Sequence, residues 1–437
     1  MKKIAILVFF TVGFFVHVWA CTGLIAGKQA TVDGSVLVTY SADSHTLYGA
    51  LTSSPAADWP KGSMRSIVEW DTNKPLGEIE QVEHTYAVIG NMNEHQLTVV
   101  ESTWGGRPEL VDTTGIIDYG SLMQLALERA KTAREAIKVM TGLVKKYGYY
   151  SSGESFTIAD PNEAWILDLI GKGPGRRGAV WVAVRIPDDC IAGHANYPRI
   201  HKIPMDDKEN CLYSPDVISF AREMGYFDGL NKDFSFARAY SPADFGALRA
   251  CDARVWSFFR KYDSSMDNYL PYVNGESAEP FPLYVKPSRK LSVQDMKEAM
   301  RDHFEDTPFD MTQDVGAGPF KVPYRFRPMS FEVDGKSYCM ERAIATQQTG
   351  FTLVGQMRNW LPDPVGGVLW FGVDDANTCV YIPMYCGITQ VPECFSPENG
   401  SMYDFSWTSA FWIHNWVANM SYSRYDQMIE DIRPVQK

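Results

Sequence analysis

Cys21-Thr-Gly-Leu-Ile-Ala-Gly27 is followed by a polar segment, Lys28 to Gly34, and then by Ser35-Val-Leu-Val-Thr-Tyr40. Two apolar runs separated by a segment that ends in Asp33-Gly34 predict a β-hairpin. The hairpin puts Cys21 on the first strand of a sheet, where a reactive side chain is held rigidly. Before it stand Lys2 and Lys3, the apolar stretch Ile4 to Val16, and His17-Val18-Trp19-Ala20. These are the three parts of a secretory leader. The stretch is short for a bilayer span, so residues 1–20 read as a removable signal peptide rather than an anchor. Removal after Ala20 makes Cys21 the new N-terminus and implies export to a periplasm or the extracellular space.

A cysteine at that position suits three different chemistries. Its free α-amine can serve as general base to its own thiol, as in an N-terminal nucleophile hydrolase. It can carry acyl chains that anchor a bacterial lipoprotein, although Trp19 is bulky where a small residue is normal before the cut. Or it can be a buried thiol or half of a disulfide.

The chain has 437 residues, of which 45% are hydrophobic, 22% charged and 13% aromatic. This is the balance of a packed protein, and it excludes disorder and fibrous repeats. A formal charge of −12 with no basic run argues against nucleic acid as a partner. No later segment is apolar enough for stable membrane insertion once the leader is gone, and a homo-oligomer is compatible with the composition. Of eight cysteines, Cys379, Cys386 and Cys394 lie close in sequence, without paired CxxC spacing or a nearby His, so no metal site is expected.

Further strands are expected at His84 to Gly90, Gln96 to Glu101, Ser155 to Ala159, Glu163 to Ile170 and Ala179 to Ile186, with Gly171 to Gly178 as a hairpin turn rather than a phosphate loop. Strands return at Gly367 to Asp374 and Thr378 to Tyr385. Ser121 to Tyr147 reads as one helix, with apolar residues every three or four positions and Lys131 paired to Glu135. Helices are also expected at Ser292 to Phe304 and Asp244 to Lys261, and an irregular Pro-rich insertion at Ala278 to Arg289. No interdomain linker is visible, so residues 21–437 read as one α+β domain with C-terminal elaborations. Motifs such as HExxH, GxSxG, the Walker loop and the dinucleotide fingerprint are absent, and no cofactor is expected.

The run Cys21 to Ser35, followed by Ser41-Ala-Asp-Ser44, resembles the mature start of the dipeptidase A family of cysteine-type N-terminal nucleophile hydrolases. Arg129 to Ile137, Gly153 to Asp160, Trp181 to Pro187, His194-Ala-Asn-Tyr-Pro-Arg-Ile200, Arg301 to Asp310 and Trp360 to Gly367 are similar to later segments of that family, in the same order. The resemblance implies a four-layer αββα sandwich of two antiparallel sheets flanked by helices, and hydrolysis of dipeptides. It also brings in the related choloylglycine hydrolases and penicillin V acylases. It implies Cys21 as nucleophile, Asp43 as the carboxylate beside the terminal amine, Asn196 as oxyanion donor, Thr103 as the other oxyanion partner and Arg254 as a supporting arginine. The relatives commonly carry arginine three residues before the aspartate, and here Tyr40 stands there. On residue chemistry alone, Asp43 reads as a turn carboxylate and Asn196 as a turn residue before Pro198.

An α-amine titrates at about 7.7–8.0 and a thiol at about 8.5, so proton exchange between them is nearly isoenergetic near neutral pH. Cys21 would attack the carbonyl to give a thioester, which water then hydrolyses. A dipeptide bears both charges, so Arg199 and Arg254 are candidates for its carboxylate, and Glu94 or Asp43 for its amine. His45 and His194 read as polar structural or pocket-rim residues, since no imidazole base is needed. Alternatives are another amide hydrolase on the same fold, of bile-acid-conjugate or penicillin V type, and a lipid-anchored binding protein. Whether the leader is cut by a signal peptidase or by autocatalysis stays open.

Overall fold

The computed structural model describes residues 21–325 and 330–437. The leader expected at residues 1–20 lies outside them.

The opening hairpin forms as expected: β1 (Thr22–Ala26) pairs antiparallel with β2 (Val36–Asp43), Gly23 opposite Tyr40. Three further antiparallel strands follow in meander order after β3 (Thr98–Trp104): β4 (Gly153–Ala159), β5 (Ala164–Gly171) and β6 (Ala179–Ile186). The glycine-rich segment turns β5 into β6, with Gly171 opposite Ala179. The chain then returns to the first sheet through β7 (Ile191–His194), and much later supplies β8 (Thr349–Met357), β9 (Val368–Val373) and β10 (Ile382–Tyr385).

One sheet of seven strands runs Tyr284–Val285, β7, β1, β2, β8, β9, β10; the other, of eight, runs Cys211–Tyr213, β6, β5, β4, β3, Met92–Asn93, Val88–Ile89, Ser53–Ser54. Successive residues of a strand point to opposite faces, and here both faces are apolar. Ile25 and Val38 meet Val100, Trp104 and Ile166 in a core between the sheets. Leu24, Ala26 and Leu37 turn the other way, onto Trp256 and Phe258 of α3 (Ala253–Arg260) and Met296 of α4 (Val293–Ala299). Val99, Trp165 and Leu167 likewise pack on α1 (Tyr119–Arg129) and α2 (Ala133–Tyr147). Burial on both faces makes these strands read as near-continuous apolar runs.

Several expectations are corrected. The helix read over Ser121 to Tyr147 is two helices, because Thr132 accepts from the Glu135 N–H and caps a new start. Lys131 therefore lies in the break, and Glu135 accepts its backbone N–H at 2.8 Å instead of pairing with its ammonium. His84 to Gly90 forms only two short pairings, His84–Thr85 and Val88–Ile89. The Asp244 to Lys261 helix begins with a π-helical segment, Ala247–Asp252. β8, in the middle of the first sheet, was not expected: Gly350 and Gly355 dilute its β-branched signal. The Pro-rich insertion contributes Tyr284–Val285, an edge strand on β7.

Candidate active site

Cys21 immediately precedes β1, whose Gly23 lies opposite His194 of β7 on one side and Tyr40 of β2 on the other. The thiol is therefore flanked by the end of β2, where Asp43 sits, and by the first residues after β7, where Asn196 sits. Gly23 is needed for this: a Cβ there would lie 2.9 Å from the His194 ring, which crosses between the sheets to bond Ser102 Oγ at 2.6 Å and Thr157 Oγ1 at 2.9 Å.

The thiol is buried, with only 3% of the residue exposed, and Sγ lies 3.5 Å from the Tyr40 hydroxyl. Tyr40 donates its single proton to Glu101 Oε1, so its oxygen faces the thiol as an acceptor. Glu101 in turn faces Glu154, whose Oε2 accepts from Thr103 Oγ1 at 3.0 Å. Two carboxyl groups in contact need a proton between them. Burial, reinforced by the Glu101 charge, pushes Glu154 well above the usual carboxyl range, so Glu154 carries that proton. Glu101 Oε2 and Glu154 Oε1 have no other partner among the described residues. Burial first, then the Glu101 and Asp43 charges, push the Cys21 thiol well above its ordinary value. With residue 20 attached, the nitrogen of Cys21 is an amide and cannot take the thiol proton.

Asp43 is buried and held from three sides: by Arg342 at 2.6 Å, Thr349 Oγ1 at 2.7 Å and Ser41 Oγ at 3.1 Å. The cation that Tyr40 does not supply is thus present at Asp43 after all, from a residue 299 positions later in the chain. No local pattern could have revealed it.

Arg254, on α3, is 1% exposed and knits the other side together. Its Nη1 donates to the Cys21 carbonyl and to Thr22 Oγ1, both at 2.8 Å, and its Nη2 to Asn196 Oδ1 at 2.7 Å and the Ala195 carbonyl at 3.2 Å. Nε is used by the Ala250 carbonyl at 2.8 Å. Asn196 adopts a left-handed backbone, φ 56°, which asparagine tolerates, and Nδ2 donates to the Thr103 carbonyl at 2.6 Å. Asn196 is therefore fixed at both ends of its amide.

A cavity of about 420 Å³ opens beside the thiol. Its apolar wall includes Leu47, Leu51, Met123 and Phe371, and its polar lining includes Asp43, Asp71, Glu101, Tyr119 and Gln124. Cys21, Asp43, Asn196 and Arg254 are brought together. Thr103 contributes its carbonyl to Asn196, while its hydroxyl turns to Glu154 rather than to the thiol.

Arg199 and Glu94, expected to meet a substrate's charges, do not line the cavity. Arg199 is buried against Asp252 at 3.0 Å and the Pro282 carbonyl at 2.9 Å, a structural ion pair consumed within the fold. Glu94 accepts the Ala87 N–H at 2.9 Å in a turn. Arg254 is likewise spent on protein acceptors and is not offered to a carboxylate. His194 is fully buried and, through burial and then Arg254 and Arg199, held down at about 3, so it stays neutral and is no base for Cys21. His45 lines a separate pocket with Asp374 and Asp375. All eight cysteines are free thiols. Among the described residues no group of His, Cys, Asp and Glu could hold a metal ion, and no helix is long and apolar enough to cross a membrane.

The family model described as peptidase family C69 matches residues 20–437. A probable dipeptidase of Salmonella dublin is 27% identical, covering 84% of this chain and 81% of its own length. A probable dipeptidase of Latilactobacillus sakei is 25% identical, and dipeptidase A of Lactobacillus helveticus 24%; each match covers 93% of this chain and 82% of the relative.

Proposed function

The chain belongs to peptidase family C69, and from that premise we propose that it is an exported cysteine dipeptidase whose nucleophile is the thiol of Cys21. We read the two sheets and their covering helices as the four-layer αββα sandwich of N-terminal nucleophile hydrolases, a single domain over residues 21–437. The observation that carries the proposal is the buried Cys21, at the head of a strand and the edge of a cavity, with its own carbonyl and Asn196 tied to one guanidinium.

In the uncut chain the thiol is inert: it sits among carboxylates, gives its proton to the Tyr40 oxygen and has only an amide nitrogen beside it. Cutting after Ala20 turns that nitrogen into an amine. The amine takes the thiol proton, and the resulting ammonium is stabilised by Asp43, itself held by Arg342. The thiolate attacks the peptide carbonyl carbon, and the oxyanion is met by the Asn196 amide, pre-positioned by Arg254 and Thr103. The ammonium gives its proton to the leaving amine as the C–N bond breaks, leaving a thioester. Water then attacks with the α-amine as base, the C–S bond breaks, and the thiol is restored. A lipid-anchored reading fits less well, because the Cys21 thiol is buried at the inner end of a cavity rather than presented on the surface where acyl chains would meet a bilayer.

The test is to purify the exported protein, read its N-terminus and mass, and assay dipeptides against N-acyl amides. A chain starting at unmodified Cys21 should cleave dipeptides, and Cys21→Ser should lose at least a hundredfold in kcat/KM with the fold intact. Undiminished cleavage by Cys21→Ser would remove the mechanism.

A further inference from the structure

The cavity beside Cys21 has one sign of charge. Its lining includes three carboxylates, Asp43, Asp71 and Glu101, and, among the described residues, no Lys, Arg or His. Asp43 is matched by Arg342. No ion pair of described residues accounts for Asp71 or Glu101, and both face the space a ligand would enter.

Asp71 reaches the cavity by a built route. It sits in the turn between the strands Met64–Val68 and Pro75–Glu80, a hairpin docked on the start of α1. The Trp70 N–H donates to Asp118 at 2.7 Å, Ser121 Oγ donates to the Val68 carbonyl at 3.1 Å, and the Tyr119 hydroxyl donates to Asp71 Oδ1 at 2.8 Å. Gly120 makes room, since a Cβ there would lie 2.5 Å from the Trp70 ring. Asp71 is thereby fixed at the open mouth, while Glu101 lies at the buried end, one hydroxyl away from the thiol. In a peptide the α-nitrogen is two bonds from the carbonyl carbon that a nucleophile attacks, so whatever reads it must lie close to that nucleophile.

We propose that Asp71 and Glu101 form an ammonium-binding wall that runs from the mouth of the cavity to the thiol, so that the enzyme selects substrates by a free α-amine and requires no free carboxylate. This rests on the peptidase reading and narrows it: amides and esters of amino acids, and peptides with a blocked C-terminus, are substrates, while N-acylated peptides are not. Trp70 and Tyr119 line the cavity beside Asp71, and aromatic rings there favour a cation as well. Among the described residues, the cavity lining offers the carboxyl end of a substrate no partner of opposite charge.

The test uses the full-length processed protein and two probes with the same apolar body, 4-methylpentylamine and 4-methylpentanoate, scored by how well each protects Cys21 from iodoacetamide. The amine should protect at least tenfold more tightly than the carboxylate. Asp71→Asn should reduce that preference about threefold to tenfold, in keeping with a partly exposed charge contact, and Asp71→Lys should reverse it. In parallel, leucine p-nitroanilide should be cleaved within about tenfold of Leu-Gly in kcat/KM, and N-acetyl-Leu-Gly at least a hundredfold more slowly. Equal or better protection by the carboxylate, or a preference unmoved by both Asp71 variants, overturns the proposal. Amine-selective protection without cleavage of any peptide would uphold the ammonium site and refute the peptidase reading instead.

Discussion

Replacing Glu154 by glutamine isolates the cost of the buried carboxyl pair. Glu154 is fully buried, accepts from Thr103 Oγ1 and faces Glu101. A glutamine keeps both contacts: its oxygen accepts from Thr103, and its Nε2 donates to Glu101 Oε2, which otherwise has no donor. What disappears is the need for a proton. In the folded wild type Glu154 stays protonated well above the ordinary value of 4.5, chiefly through burial, whereas in the unfolded chain it ionises near that value. Above pH 4.5 the native state therefore binds a proton that the unfolded state has released. Stability falls as pH rises through this window, by about 1.4 kcal/mol for each pH unit up to the folded-state pKa. Glu154→Gln escapes that loss. Denaturant unfolding at pH 4, 5, 6 and 7 should show the two proteins nearly equal at pH 4, with the variant gaining progressively above it. A gap that does not change with pH, or a variant less stable than wild type at pH 7, would refute the shared-proton assignment.

Two further outcomes follow from the same geometry. His194→Ala removes a neutral imidazole that bridges the sheets, and should cost about 2–4 kcal/mol through its cavity and the hydrogen bonds lost by Ser102 and Thr157. The Cys21 reaction with iodoacetamide should keep its pH dependence in that variant, and a shift would mean that His194 does exchange protons with the thiol. Arg254→Lys keeps the charge but cannot reach five acceptors with one ammonium, so kcat should fall about tenfold to a hundredfold with little change in KM; a wild-type kcat would show that the tie between Cys21 and Asn196 is dispensable.

What the sequence discloses about this molecule is local. The opening hairpin, the glycine turn between β5 and β6, and the strand-rich centre follow from patterns within a few residues of one another. Family likeness points to Cys21, Asp43, Asn196, Arg254 and Thr103, and the structure gathers the first four around one thiol while the Thr103 hydroxyl turns to Glu154. Only charge points to Arg199 and Glu94, and charge does not reveal whether a partner such as Asp252 has already claimed a side chain. Tyr40 reads as a loss of positive charge because its replacement, Arg342, arrives from 299 positions along the chain, just before the strand that pairs with β2. Asp71 carries no motif at all; only the docking of its hairpin on α1 gives it a place. The split of α1 from α2 was legible in Thr132 and Glu135, yet the apolar periodicity on both sides hides a break of three residues.

The position of β8 bears on when the site comes into being. Thr349–Met357 supplies the partner of β2 on the side away from β1, and Thr349 and Arg342 supply two of the bonds to Asp43. A ribosome releases these residues more than three hundred positions after the cysteine they serve. Until then β2 has an open edge and Asp43 no counter-ion, so the emerging chain holds a thiol without its surroundings. A chain stopped before residue 342 would retain Cys21, Asp43, Asn196 and Arg254, yet lack β8, β9 and β10, the three strands on one side of β2. The surroundings that the proposed mechanism asks of Cys21 are thus completed only by the last third of the chain, ahead of the cut that would free its amine.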